Sequence, residues 1–225
     1  MIASRPIPKA LIFDVDGTLY RQGPVRLGLA RQLLGHLIGQ PGVGMRTVRA
    51  LMAYRHALED LRGAQTSAAG DVSLEQRRLA SRATGIPVDE IERYVNEWMI
   101  EAALPLLARA RRAHVADVCA VARSRGIQLA ACSDYAATAK LDSLCLREFF
   151  AVVVTARDAD VGRVKPHPRG LQVALAKLGV APHDAWYVGD RPDVDARAAL
   201  AAGVTPVMLS RRYTMAHLLQ DIRHR

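Results

Sequence analysis

Short apolar runs that stop at acidic or glycine turns mark five buried strands in this chain. Ala10-Leu-Ile-Phe13 is the first, too short for a helix and closed by Asp14 and Gly17. From Val25 to about Glu101 the rhythm is helical instead. Apolar residues recur at helical spacing over Leu27–Ile38 and Val48–Leu61. Ser73-Leu-Glu-Gln76 reads as a capping box that opens a helix over Leu74–Thr84. Pro87 and Asp89 start another through Ile91, Val95, Trp98 and Met99. Gly63–Gly70 reads as the flexible joint of this helical block.

After Pro105 strands return. Helices are expected over Ala113–Ser124, Ala136–Leu146, Arg169–Leu178 and Val194–Ala202, with Gly126, Gly179 and Gly203 as stops. Between them lie strands at Ile127–Cys132, Phe149–Thr155, Ala185–Val188 and Pro206–Leu209. Nearly continuous apolar strands alternating with helices predict a parallel sheet covered on both faces. The expected architecture is an α/β core from residues 1–20 and 106–225, interrupted by a helical segment over 21–105.

Composition narrows the field. At 225 residues, 50% apolar and 24% charged, the chain can bury a core without disulfide or metal staples. The longest stretch free of Asp, Glu, Lys and Arg is Gln32–Met45, too short and too broken by Gly and Pro to span a bilayer. No leader pattern follows Arg5 and Lys9. Cys119, Cys132 and Cys145 lack zinc or disulfide spacing and read as small buried thiols in a reducing cytoplasm. The net charge is +9, with 27 Arg against four Lys. That balance raises nucleic acid, acidic membranes or phosphorylated substrates as partners. Aromatics are only 5% of the chain and do not interleave with the arginines. This speaks against stacking on bases.

The polar clusters fall at strand ends, where ligands bind in open α/β sheets. Asp14-Val-Asp16-Gly17-Thr18 follows the first strand, Ser133-Asp134 the second and Gly189-Asp190 the fourth. Lys165-Pro166 opens the helix after the third. Taken singly, each is explained by a turn, a helix cap or a surface lysine. Their order and shared placement argue for one site. Asp14 and Asp190 supply hard oxygen ligands suited to Mg²⁺. A carboxylate relieved of repulsion can attack phosphorus, and Asp16 could serve as general acid and then base. Ser133 and Lys165 could hold phosphate oxygens. Gly17 permits a sharp turn that brings backbone N–H groups there, Thr18 included, near a phosphate.

These residues resemble, in order, the four motifs of haloacid dehalogenase superfamily phosphatases: Asp14–Thr18, Ser133, Lys165-Pro166, and Gly189-Asp190 through Asp195. The run from Lys165 to Gly203 is similar to the phosphoglycolate-phosphatase-like branch. The resemblance implies a Rossmann-like three-layer core with an inserted α-helical cap. It implies Asp14 as nucleophile and Mg²⁺ ligand, and Asp16 as acid/base lending its backbone carbonyl to the metal. Asp190 would be the third ligand. Asp195 would support the metal, with Asp193 the competing position. Asp134 stands where the family often has Asn. Its carboxylate is expected to point away from phosphate, contributing its backbone N–H or capping the next helix.

Asp16 discriminates among reactions, because the family's dehalogenases lack a carboxylate there and a halide needs no acid. The reading is a phosphatase acting on a small phosphorylated metabolite. A phosphomutase sharing all four motifs and a non-catalytic anion or nucleic-acid binder are the alternatives. Arg49, Arg55, His56, Arg62, Arg77 and Arg78 could meet an anionic substrate, or line solvated helix faces. Monomer and homodimer both fit.

Overall fold

A computed structural model describes residues 6–63 and 71–224. It divides into two compact units. One holds the described residues up to Arg21 and from Arg111 onward, and the other is Gln22–Ala110. Most of the proposed joint, residues 64–70, lies outside the described residues.

In the first unit, strands β1 (Ala10–Phe13), β2 (Gln128–Ser133), β3 (Val152–Thr155), β4 (Ala185–Gly189) and β5 (Thr205–Met208) form one parallel sheet. Their order is β3-β2-β1-β4-β5. Side chains alternate across the pleat. Ala10, Ile12, Ala130, Cys132, Val154 and Tyr187 share a core with helices α8 (Arg169–Leu178) and α9 (Arg197–Ala201). The other face carries Leu11, Phe13 and Leu129, all buried. Helix α6 (Val115–Ser124) packs on β2, and α10 (Met215–Arg223) packs on α6. The expected α/β architecture is therefore present. Phe13 pairs in register with both Ala131 and Val188. Asp14, Ser133 and Asp190 thus leave the sheet at one edge.

Several local expectations shift. Helix α7 covers only Thr138–Ser143, because Cys145 adopts φ +54° and ends the run. Arg147–Phe149 forms a tight turn, so β3 starts at Val152 rather than Phe149. Pro192–Ala196 winds as a wide π-type turn before α9. Helix α10 was not foreseen; Thr214 and His217 form a capping box at its start. Cys119 and Cys132 are buried, their thiols pushed up to about 12 by desolvation, whereas Cys145 is exposed.

The second unit is helical throughout. Its elements are α1 (Gln22–Gly39), α2 (Pro41–Gly63), α3 (Val72–Thr84), α4 (Val88–Tyr94) and α5 (Leu104–Ala110). Wide turns over Val95–Ile100 continue α4. Helix α5 packs on α1, so the compact unit ends with that helix at Ala110, past the boundary read after residue 105, which falls inside α5. Buried Thr47, Ala50, Tyr54, Ala57 and Leu58 make one stripe of α2. The predicted capping box does not form. Asp71 caps α3 instead, accepting from Ser73 N and Leu74 N at 2.9 and 3.1 Å. Gln76 is buried and donates to the Tyr54 carbonyl at 2.7 Å, so it cannot reach back to a cap.

Asp71→Ala should lower the unfolding free energy by about 1 kcal/mol. Ser73→Ala should change it by less than about half of that. Urea denaturation of both variants checks the assignment, which fails if the Ser73 change is the costlier one.

Candidate active site

Asp14 follows β1 directly, its N–H donating to Val188 O at 2.9 Å. One carboxylate oxygen, Oδ1, accepts from Lys165 Nζ at 2.6 Å, and the other from Thr18 Oγ1 at 2.9 Å. Lys165 Nζ also donates to Asp195 Oδ1 at 2.7 Å and lies 2.9 Å from the Tyr187 hydroxyl. All five residues are buried. Asp195 Oδ2 accepts from the N–H groups of Asp190 and Arg191. The expected set therefore meets at one sheet edge.

Two glycines make room for it. Gly17 has φ +103°, and a Cβ there would lie 2.4 Å from Asp190 Oδ2. A Cβ on Gly189 would lie 2.6 Å from the Asp195 side chain. Any larger residue at either position displaces a carboxylate.

Asp14, Asp190 and Asp195 each bring one oxygen to a cluster within 4.8 Å. Asp190 Oδ1 is buried without a hydrogen-bond donor among the described residues. Unpaired buried carboxylate oxygens are costly, and this donor set suits a hard divalent cation. Asp193 is exposed and bonds Arg191 at 2.7 Å, outside the cluster. Asp16 joins the site from the other side. Burial alone would raise its pKa, but Lys140, with Tyr20, holds the carboxyl below its ordinary range. Burial, then Asp195, raises Asp190.

The Asp134 carboxylate is engaged by the backbone of Lys165. It accepts from Lys165 N at 2.9 Å and so fixes the backbone that carries the lysine. It does not cap the following helix, whose N-terminal position is Ala137 without a side-chain bond. Only its backbone N–H stays in keeping with a phosphate role. Ser133 Oγ lies 3.4 Å from Asp16 Oδ2.

Sequence reasoning missed four residues here. Lys140 Nζ donates to both Asp16 oxygens at 2.5 and 2.8 Å, and Tyr20 donates to Asp16 Oδ1. Arg112 donates twice to Gly17 O at 3.0 and 2.7 Å. Tyr187 sits between Lys165 and Asp195. The scarcity of lysine was the one available signal, and it pointed to Lys140 as much as to Lys165. In the helical unit, Arg62, Arg77 and Arg78 pair with Glu59, Glu92 and Glu75, and Arg49 bonds the Thr84 carbonyl. These contacts favour a structural role for the four over substrate binding.

Residues 8–203 match the family model for haloacid dehalogenase-like hydrolases. The chain belongs to that family. Over 95 residues it is 37% identical to a phosphoserine phosphatase of Thermus thermophilus, spanning 41% of this chain and 37% of that one. It is 29% identical over 224 residues to a phosphoglycolate phosphatase of Rhodospirillum rubrum, covering 92% and 82%. The fold is shared with a 2-haloacid dehalogenase of Pseudomonas syringae: TM-score 0.64, 21% identity, 96% and 98% coverage. No described helix is long and apolar enough to cross a membrane.

Burial first, then Asp195 and Asp16, lift Asp14 from 3.8 to about 7 against the pull of Lys165. The folded chain therefore holds a proton that the unfolded chain has released between those values. Stability is fullest below the lower value and falls as pH rises through the upper one. In chelator, Asp14→Asn should gain on the wild type by about 2–3 kcal/mol between about pH 5 and pH 8. Denaturant unfolding at the two pH values tests this, and a pH-independent difference would refute it.

Proposed function

We propose that this chain is a Mg²⁺-dependent phosphatase that acts on a small phosphorylated metabolite through an aspartyl-phosphate at Asp14. The observation that carries the reading is Asp14 held at a strand end by Lys165 and Thr18, with Asp16 two residues on. Asp14, Asp190, Asp195 and the backbone carbonyl of Asp16 would hold the metal. A bound Mg²⁺ would offset the repulsion among these carboxylates and neutralise charge on the phosphoryl group.

Asp14 attacks phosphorus, and the bond from phosphorus to the ester oxygen breaks. Asp16, which takes up a proton as the substrate binds, gives it to that oxygen. Asp16 then takes a proton from water, whose oxygen attacks the same phosphorus. The bond to Asp14 breaks and inorganic phosphate leaves. Lys165, Ser133 and the N–H groups of Gly17, Thr18 and Asp134 hold the non-bridging oxygens. Asp16 supports phosphoryl transfer over dehalogenation, because an alkoxide needs a proton and a halide does not. The phosphatase relatives support the substrate class. The helical unit takes the part of a cap, excluding water and setting specificity. Three free thiols are in keeping with the cytoplasm.

Phosphate release from p-nitrophenyl phosphate should require Mg²⁺ and stop with EDTA. Asp14→Asn should lower kcat at least about 10³-fold, and Asp16→Asn should lower turnover of an alkyl phosphate about 10²–10⁴-fold. Undiminished turnover by Asp14→Asn overturns the nucleophile. A panel of phosphorylated metabolites then finds the substrate.

A further inference from the structure

Asp16 emerges from a turn, yet it has to aim one oxygen at a leaving group and then at water. Its turn alone cannot do this, since a side chain on a loop retains rotamer freedom. Lys140 supplies what the turn lacks. It comes from α7, where Leu141 and the following Leu144 are fully buried, and its own side chain is only 10% exposed. Both of its side-chain hydrogen bonds among the described residues end on Asp16, one on each oxygen. Tyr20 adds a donor to Oδ1, and the Ser133 hydroxyl faces Oδ2. The ammonium also lies 5.4 Å from the centre of the Tyr135 ring, which limits where it can move.

Building on the phosphatase reading, we propose that Lys140 is a positioning residue that fixes the orientation of the Asp16 carboxylate for both proton transfers. Lys140 acts through Asp16 alone and not on phosphate. Lys165 is bonded to Asp14 and Asp195, so the two buried lysines divide the acids between them. Tyr20 shares the load on Oδ1 and is the secondary positioning group.

The test is a cycle of wild type, Lys140→Met, Asp16→Asn and the double variant, assayed with Mg²⁺. Lys140→Met should lower kcat by about 10²-fold, the scale of a misplaced catalytic group, with KM little changed. The loss should be larger on a primary alkyl phosphate than on p-nitrophenyl phosphate, whose leaving group hardly needs a proton. In the Asp16→Asn background the same change should cost nothing further. Lys140→Arg should recover part of the loss. Lys140→Gln keeps a donor and carries the same cycle if the Met variant does not fold. A crystal structure of the Met or Gln variant should show the Asp16 carboxylate displaced, with the Asp14–Lys165 contact intact. Equal losses in both backgrounds, equal losses of kcat/KM on both substrates, or an unmoved Asp16 overturn the proposal. Full turnover by Asp16→Asn instead overturns the acid/base role of Asp16 itself, while the crystal structure still decides the positioning.

Discussion

One buried ammonium holds the acidic edge of this protein together. Lys165 bridges Asp14 and Asp195 in a place where water cannot screen their repulsion. A buried charge is tolerated only when paired and hydrogen-bonded, and removing its partner is strongly destabilising. Burial would lower the pKa of Lys165, but Asp14, Tyr187 and Asp195 raise it well above its ordinary range. The lysine therefore stays charged. Its backbone is held in turn by Asp134. Even so, one cation faces three clustered carboxylates, which leaves the site suited to a second, divalent charge.

The parallel sheet makes this convergence possible. Because β1, β2 and β4 run in the same direction in register, residues just past their ends project from one edge. Glycine completes the approach, since Gly17 and Gly189 leave the space that carboxylates of Asp190 and Asp195 fill. The link to the helical unit is tied to the same edge. Tyr20 pairs with Arg111, and Arg112 grips the Gly17 carbonyl. Tyr20 also reaches Asp16, so one connecting residue touches both the chain path and the acid.

The strands were legible because each is a short apolar run closed by turn residues, and both sides of the sheet are buried. The motif acids and Lys165 were legible because they follow those strands. Other features depended on neighbours that no local pattern reveals. Ser73 has the spacing of a cap, yet Asp71 takes the role and Gln76 is drawn into the core by Tyr54. Helix α7 is cut short at Cys145, whose positive φ no thiol side chain predicts. Lys140 carried no motif; only folding brings α7 beside the β1 turn, 124 residues away in sequence.

The amino-acid sequence by itself determined the alternation of strand and helix, the family and the acids that follow β1 and β4. Periodicity, turn chemistry and motif order are local properties of a chain. Only the tertiary structure decided that Asp195 and not Asp193 joins the cluster, that Asp134 serves Lys165, and that Lys140 serves Asp16. Those choices rest on a few ångströms of distance and on burial, and both arise only when separate segments pack.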